Sequence, residues 1–246
     1  MDIPPGKRCE GRGGPLAEVS FSRSLQRRLQ TFETAGPGRC WSGKGPQLAY
    51  GRHAGPAPAD ARQAAVSLML IHHQDELFIP LTRRPAELKH HGGQICFPGG
   101  QIESGEDDCQ AAVREFEEEL GVRPENIFIC GRLNPVYVYA SNNLVHPVVM
   151  TCRLIQRHWR PQVEEVDAVI ELPVRHVLAA ENWTLQSIRR TIRSSNQSSG
   201  DFELLAPCCV YNEHQIWGAT GMLLARLAQL IACSPPAQEQ RPEAES

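Results

Sequence analysis

The chain has 246 residues, of which 41% are hydrophobic, so we expect one domain with a sizeable core. Its net charge of −3, without a long basic stripe, argues against nucleic acid as the main partner. No apolar run reaches the roughly eighteen residues of a membrane-spanning helix, so no membrane association is predicted.

The nine cysteines are scattered and lack the C-x-x-C spacing of zinc sites. An odd, dispersed set of this kind is typical of reduced thiols in an intracellular protein. The start, MDIPPGKRCEGRGG, has neither the apolar segment of a signal peptide nor the acid-poor pattern of a transit peptide. We therefore expect a cytoplasmic protein, either a monomer or a homodimer.

Residues 1–59 are rich in Gly, Pro and Arg and are predicted to form a weakly ordered extension with one amphipathic helix, FSRSLQRRLQTF. The apolar face of this helix consists of Phe21, Leu25, Leu29 and Phe32. We expect that face to dock on the domain. The arginines of this helix, Arg23, Arg27 and Arg28, are interpreted as a solvated basic face. The alternative is that they contact an anionic ligand or a membrane.

The predicted domain, residues 60–232, opens with two strands of a hairpin, AAVSLMLIHH and ELFIPLTRR. Further strands are predicted in NIFICGRL, VYVYA, VHPVVMTCRLI and VDAVIELPV. A short helix, RHVLAAE, and a final helix, GATGMLLARLAQLIAC, complete the predicted elements. The segment SSNQSSG is interpreted as a flexible loop, and residues 233–246 as a disordered tail.

The most informative segment is GQIESGEDDCQAAVREFEEELGV, residues 100–122. At about 100° per residue, one face of a helix carries three carboxylates and the opposite face is apolar. The carboxylates are Glu115, Glu118 and Glu119; the apolar residues are Ala112, Val113, Phe116 and Leu120. Oxygen ligands of this kind suit Mg²⁺ or Mn²⁺, which share their coordination with substrate phosphates. The segment predicts hydrolysis of a phosphoric anhydride, with a solvated acidic face as the alternative.

The flanks of this helix predict firm boundaries. FPGG before it cannot continue a regular element, Ser104 with Asp107 offers an N-cap, and Gly121 gives a C-terminal stop. Arg114 lies next to the first carboxylate, and Glu106 in the entry turn is expected to pair with its guanidinium.

The spacing of Gly100, Glu106 and REFEEELGV (residues 114–122) resembles the Nudix hydrolase box at every fixed position. The resemblance implies an α/β fold, an α/β/α sandwich with a mixed β-sheet, and hydrolysis of a nucleoside diphosphate linked to another moiety. The metal ligands that it implies are Glu115, Glu118, Glu119 and the carbonyl of Gly99. It assigns Arg114 and Glu106 to orienting the helix.

The segment before the box, LTRR (residues 81–84) running into FPGG (residues 97–100), resembles the extra signature of the coenzyme A diphosphatase branch, with Arg84 as its arginine. Two positions depart from it: Pro85 replaces a small residue such as serine, and Lys89 replaces arginine. Lysine keeps the charge but loses the bidentate fork that suits phosphate. The branch cleaves coenzyme A or acyl-coenzyme A to 3′,5′-ADP and 4′-phosphopantetheine or its acyl form.

The predicted substrate-binding residues are Arg83, Arg84, Lys89, His91 and Gly93. His91 is interpreted as a phosphate or ribose contact, and the three cations have solvated loop charges as the alternative. A metal-held water is expected to attack one phosphorus, with Glu118 or Glu165 as general base. The sequence leaves that choice open, and Glu165 has an ordinary loop charge as its alternative.

Two further functions are weighed against this one. The first is another hydrolase activity of the same enzyme class, with ADP-ribose, a dinucleoside polyphosphate or an oxidised nucleotide as the substrate. From another class, the chain is a Nudix domain that binds a ligand or partner without catalysis. The complete set of box glutamates argues against the second, because a module without catalysis has no need for so costly a cluster.

Overall fold

The computed structural model describes residues 15–32, 52–53, 57–73, 76–87, 92–138, 141–153, 158–193 and 199–232. The helices are α1 (Pro15–Phe32), α2 (Asp108–Leu120), α3 (Val174–Leu178) and α4 (Gly218–Ala232), with a 3-10 turn at Ala180–Asn182. The first strands are β1 (Arg52–His53), β2 (Arg62–His73), β3 (Glu76–Arg83), β4 (Ile95–Cys96), β5 (Gly99–Gln101) and β6 (Glu125–Arg132). The others are β7 (Val136–Val138), β8 (Asn143–Arg153), β9 (Ala168–Pro173), β10 (Trp183–Arg193), β11 (Ser199–Tyr211) and β12 (His214–Ile216).

β2 is the central strand of a mixed sheet. It pairs in parallel with β8, from Arg62 opposite Asn143 to His72 opposite Arg153. On its other edge it pairs antiparallel with β5 near its start and with β3 near its end. β3 pairs with β4 and β9, while β8 pairs with β6 and β7, and β7 with β1. The predicted hairpin and the mixed sheet are both confirmed.

The two faces of this sheet carry separate hydrophobic clusters, because successive side chains of a strand point to opposite sides. Leu68 and Leu70 of β2 belong to the cluster that includes α1, α3 and α4. Met69 and Ile71 belong to the cluster formed with α2. Helices therefore cover both faces, which confirms the α/β/α sandwich.

Helix α1 docks on the domain through the described part of the face predicted for it, which excludes the side chain of Phe32. Leu25 and Leu29 are buried in the cluster shared with α4, and Arg28 donates from Nη1 to the carbonyl of Leu230 at 3.1 Å. The hydroxyls of Ser22 and Thr151, both buried, lie 2.7 Å apart and link α1 to β8. The predicted docking is confirmed, while the domain boundaries at residues 59 and 233 stay predictions.

Two features of the fold differ from or go beyond the sequence prediction. The expectation that FPGG interrupts regular structure is wrong for Gly99 and Gly100, which form β5 and pair with Val66 and Ala65. A second, antiparallel sheet of β10, β11 and β12 was not predicted, because none of its three strands was identified from the sequence. Within the described residues, no helix has both the length and the apolar character needed to cross a membrane.

Candidate active site

Helix α2 ends at the predicted Gly121, and its N-terminal cap is formed by Asp107 with Gln110 rather than by Ser104 with Asp107. Asp107 is the N-cap and forms a capping box with Gln110: its side chain accepts from the Gln110 amide at 2.8 Å, and the Gln110 side chain accepts from the Asp107 amide at 2.9 Å. At the other end, Gly121 has φ 62°, and its amide donates to the carbonyl of Glu117. These caps fix the helix register.

Arg114 brings the carboxylates of the box together. Its guanidinium donates twice to Glu106, at 2.7 and 3.1 Å, and through Nη1 to Glu115 and Glu118, each at 2.9 Å. A further bond, from Nη2, reaches the carbonyl of Gln101 at 3.0 Å. This guanidinium holds the pKa of Glu106 below its usual range. The predicted pairing of Arg114 with Glu106 is therefore present, and one nitrogen links Glu115 and Glu118.

Glu119 is the buried carboxylate of the box, with 3% of its surface exposed. It accepts from the Thr82 hydroxyl at 3.3 Å and from the amide of Gly99 at 3.4 Å. Burial raises the pKa of Glu119 to about 7, and the charge of Glu115 adds to the rise, while Gly99, Arg84 and Thr82 oppose it. Burial of this carboxyl group therefore costs free energy of folding. Carboxyl groups with perturbed pKa values are common at functional sites.

Glu115 lies against the glycine that opens the box. A Cβ atom built at Gly100 would overlap the Glu115 carboxylate. Burial is also the main reason why the pKa of Glu115 is raised; Arg114 opposes this effect, and the charges of Glu118 and Glu165 add to it. The absence of a side chain at Gly100 therefore gives the carboxylate its place.

Glu118 is the most exposed of the three glutamates, with 55% of its side chain accessible. In the parts of the chain that the structure describes, Asp107, Asp108 and Cys109 are the group of three whose ligand atoms all lie within 4.8 Å of one another. The three box glutamates do not converge so tightly: Glu118 turns to Arg114, and Glu119 turns inward. Asp108 is already bound by both Nε and Nη2 of Arg132.

The predicted second base, Glu165, lies in a turn at residues 163–165. Its amide donates to the carbonyl of Gln162 at 2.9 Å, and the amide of Gln162 donates to the carbonyl of Glu119 at 3.2 Å. The carboxylate is exposed, and its charge contributes to the raised pKa of Glu115. Glu165 therefore lies near the box in the structure, although more than forty positions of the sequence separate it from the end of the box.

A cavity of about 610 Å³ lies beside the inner end of this cluster. Its wall on the box side is formed by Gly99 and Cys96, and Cys96 shares the Thr82 hydroxyl with Glu119. The other lining residues are Val66, Arg84, Gly92, Gly93, Gln94, Ile95, Phe97, Val138, Gln215, Trp217, Gly218, Ala219 and Thr220. Val66 of β2 and Gly99 of β5, which pair with each other, both line the cavity.

The structure separates the predicted substrate-binding residues into three groups. Arg84 and Gly93 line the cavity, and their backbones are joined by a hydrogen bond of 3.1 Å. Arg83 is absent from the cavity wall and forms an ion pair with Asp167 at 2.7 Å. Lys89 and His91 lie outside the described residues.

Several residues of the site were missed by sequence reasoning. Thr82, which belongs to the signature segment, joins Glu119 to Cys96 through its hydroxyl. Trp217 and Thr220, which were not predicted as site residues, line the cavity. The hydroxyl of Thr220 donates to the carbonyl of Ile95 at 2.9 Å, which ties α4 to β4.

Comparison with known proteins identifies the Nudix family over most of the domain that carries this site. Residues 61–191 match the NUDIX domain. Nudix hydrolase 3 of Caenorhabditis elegans is 28% identical over 177 residues, which are 70% of this chain and 73% of that protein. Mitochondrial coenzyme A diphosphatase NUDT8 of Homo sapiens is 31% identical over 143 residues, which are 58% of this chain and 57% of that protein.

A bacterial relative is covered more fully. The uncharacterized Nudix hydrolase NudL of Pectobacterium atrosepticum is 30% identical over 175 residues, 71% of this chain and 85% of that protein. Among solved structures, a binary complex of a C. elegans Ap4A hydrolase is 18% identical with a TM-score of 0.40, over 49% of this chain and 88% of that one. This last likeness is too distant to bear on function. The domain match and the NudL relative show that the chain belongs to the Nudix hydrolase family.

Proposed function

We propose that this Nudix hydrolase cleaves the diphosphate of coenzyme A or of an acyl-coenzyme A. The products are 3′,5′-ADP and 4′-phosphopantetheine or its acyl form. The observation that carries the proposal is the position of the signature segment: Arg84 and residues 92–97 line a cavity that ends at Gly99, next to the buried Glu119. Relatives with mitochondrial coenzyme A diphosphatase activity in their names, at 31% and 29% identity, support it.

The cavity suits part of such a substrate. At about 610 Å³ it falls within the range of roughly 300–1,000 Å³ that is usual for small-molecule sites. Its wall combines apolar surface from Val66, Ile95 and Trp217 with Arg84. We assign the phosphates to the Arg84 end, because that end adjoins the carboxylates, and we keep Gly93, Lys89 and His91 as proposed substrate contacts.

The donor set fits a hard divalent cation. The carboxylates of Glu115, Glu118 and Glu119 are oxygen donors. Arg114 pairs with the first two, and Gly100 leaves the space that the Glu115 carboxylate needs. We propose that these glutamates, with the carbonyl of Gly99, hold Mg²⁺ or Mn²⁺. When bound, such an ion offsets diphosphate charge and lowers the pKa of a coordinated water.

The remaining chemistry belongs to the side chains. Arg114 keeps Glu115 and Glu118 in place through a single nitrogen. Glu118 or Glu165, both exposed to solvent, accepts the proton from the attacking water. Arg84, at the cavity wall, is assigned to binding a phosphate of the substrate.

Product analysis tests the substrate. The purified protein is incubated with coenzyme A, ADP-ribose or a dinucleoside polyphosphate, each with Mg²⁺ or Mn²⁺ and with a chelator control. Chelator-sensitive release of 3′,5′-ADP from coenzyme A supports the proposal. Preferential cleavage of another substrate would overturn coenzyme A as the substrate but retain the hydrolase activity. Binding without cleavage would favour a non-catalytic module.

A pair of variants on α2 tests the site. Glu118→Gln should lower kcat at least about a hundredfold, because it removes an ionised ligand or base. Glu117→Gln makes the same change on the neighbouring residue, which pairs with Arg123 at 3.4 Å instead. Its turnover should stay within about twofold of the unaltered protein. Equal turnover in both variants would refute the assignment of Glu118.

A further inference from the structure

We propose that Arg83 is a positioning residue, which acts through Asp167 to hold the loop that carries Glu165 against helix α2. The inference rests on the proposed function only for the role of Glu165. It assigns Arg83 to the loop and not to a substrate phosphate. We call residues 158–167 the strap.

The strap is fixed at its first end to the carboxyl end of α2. The amide of Arg160 donates to the carbonyl of Leu120 at 2.9 Å, and the amide of Gln162 donates to the carbonyl of Glu119 at 3.2 Å. A helix leaves its last carbonyls without partners inside the helix, so these bonds satisfy groups that otherwise need water. The first end of the strap is therefore hydrogen-bonded to the backbone of Glu119, the buried carboxylate residue of the site.

The middle of the strap is a turn closed on itself. The amides of Glu165 and Val166 both donate to the carbonyl of Gln162, at 2.9 and 2.8 Å. Val166 is buried, with 2% of its surface exposed. Trp159 packs edge-on against Phe116 and donates from its indole nitrogen to Glu171 at 2.8 Å. These contacts set the shape of the turn on which Glu165 stands.

Arg83 holds the second end. The amide of Asp167 donates to the carbonyl of Arg83 at 2.8 Å, and the Asp167 carboxylate accepts from Nε and Nη2 of Arg83, at 2.8 and 2.7 Å. Both links join the exit of β3 to the strap two residues after Glu165. The backbone bond fixes the distance, and the ion pair fixes the rotation of the chain at Asp167.

The same contacts argue against a phosphate role for Arg83. Two of its donor nitrogens already bind Asp167, whereas the neighbouring Arg84 lines the cavity. A phosphate bound at Arg83 would have to compete with a carboxylate in place. Asp167 itself has about half of its side chain exposed, at 49%, so the pair is open to solvent and adds little to global stability.

Three variants test the pair with coenzyme A, or with whichever diphosphate the protein is found to cleave. Arg83→Gln and Asp167→Asn should each lower kcat about tenfold with KM unchanged within about twofold, because a misplaced base slows only the chemical step. The reversed pair, Arg83→Asp with Asp167→Arg, should recover most of the lost kcat. A phosphate contact predicts the opposite: a raised KM for Arg83→Gln, little effect of Asp167→Asn and no recovery on reversal.

The chain offers a matched control at the other end of the same strand. Glu76 opens β3 and pairs with Arg175 at 2.7 Å on the surface. Arg175→Gln breaks an ion pair of the same length without touching the strap. It should leave kcat and KM within about twofold of the unaltered protein.

The role of Glu165 is tested by combining changes. If Arg83 acts through Glu165, then Arg83→Gln lowers kcat in the unaltered protein but not in a Glu165→Gln background. Equal losses in both backgrounds would overturn the proposal. Full activity of Glu165→Gln alone would overturn it as well.

Hydrogen exchange gives a readout that does not depend on any substrate. The amides of Gln162, Glu165 and Val166 are hydrogen-bonded, and they should exchange about tenfold faster in Arg83→Gln and in Asp167→Asn than in the Arg175→Gln control. Unchanged exchange would refute the strap. If the unaltered protein cleaves none of the substrates, this measurement still decides the proposal, so failure of the proposed function and failure of the strap are separate results.

Discussion

Gly100 and Glu115 share one place in the molecule: the glutamate carboxylate occupies the volume that any side chain at residue 100 would fill. The overlapping group is the far end of a flexible side chain, so it moves at small cost. We expect Gly100→Ala to fold with nearly unchanged stability but to lose more than about tenfold in kcat, because Glu115 is displaced. Steady-state kinetics and thermal melting check this, with the exposed Ser104→Ala as control. Full activity would contradict the account of Gly100.

The neighbouring glycine is predicted to behave differently. A Cβ at Gly99 would overlap the carbonyl of Ala65 and come within 2.8 Å of the Cα of Val66. These are backbone atoms of β2, so the sheet has to shift. We expect Gly99→Ala to lower the free energy of unfolding by about 1–3 kcal/mol, as overpacking does. Chemical denaturation measures it, and stability equal to that of Gly100→Ala would show that the strand contact is not tight.

Arg114 is expected to need its planar fork. Lysine keeps the charge, but one ammonium cannot bind Glu106 twice and also reach Glu115 and Glu118. Arg114→Lys should therefore lower kcat about tenfold to a hundredfold. The control is Arg132→Lys, which alters the surface pair with Asp108 at the start of the same helix. A similar loss in both variants would point to helix stability and not to the carboxylates.

Helix α1 is predicted to be a structural part of the domain. Leu25 is fully buried, at 0% exposure, within the cluster that includes α4. Leu25→Ala should lower the free energy of unfolding by about 2–5 kcal/mol, since it leaves a cavity in the core. The control, Val19→Ala, changes a residue on the same helix that is 46% exposed. Equal stability of the two variants would mean that α1 contributes little to folding.

The cysteine thiols give a prediction that depends on pKa. Burial raises the pKa of Cys96 and Cys109 to about 11 and that of Cys130, Cys152 and Cys209 to about 12, and it also raises that of Cys208. The thiolate is the reactive form, so these six should react slowly at pH 8. A disulfide reagent should therefore detect no more than three fast thiols in the folded protein and nine after denaturation. A fourth fast thiol would contradict the raised pKa values described for this group.

Part of the site was predictable because it is local in sequence. The contact of Arg114 with Glu106, the cap at Asp107 and the stop at Gly121 all follow from spacing along one helix and its entry turn. Likewise, the apolar face of α2 follows from its helical period, and Phe116 and Leu120 are buried as expected.

The rest was not predictable because it depends on depth and on distant partners. A helical period gives the direction of Glu119 but not its burial, which results from Thr82 and Gly99 on other strands. The Arg83 and Asp167 pair joins segments that the hairpin pattern does not relate. Strand β10, WTLQSIRRTIR, mixes charged and apolar residues in both alternating positions, so period two did not identify it.

The parallel pairing of β2 with β8 has a consequence for how the chain reaches this structure. Eleven residue pairs join these strands, and the whole box helix lies in the chain between them. Non-local pairing closes a long loop before its contacts are gained, which slows folding. The centre of the sheet is therefore complete only after the polypeptide has been synthesised past residue 153, and until then the carboxylate helix can pack on β2 but not on β8.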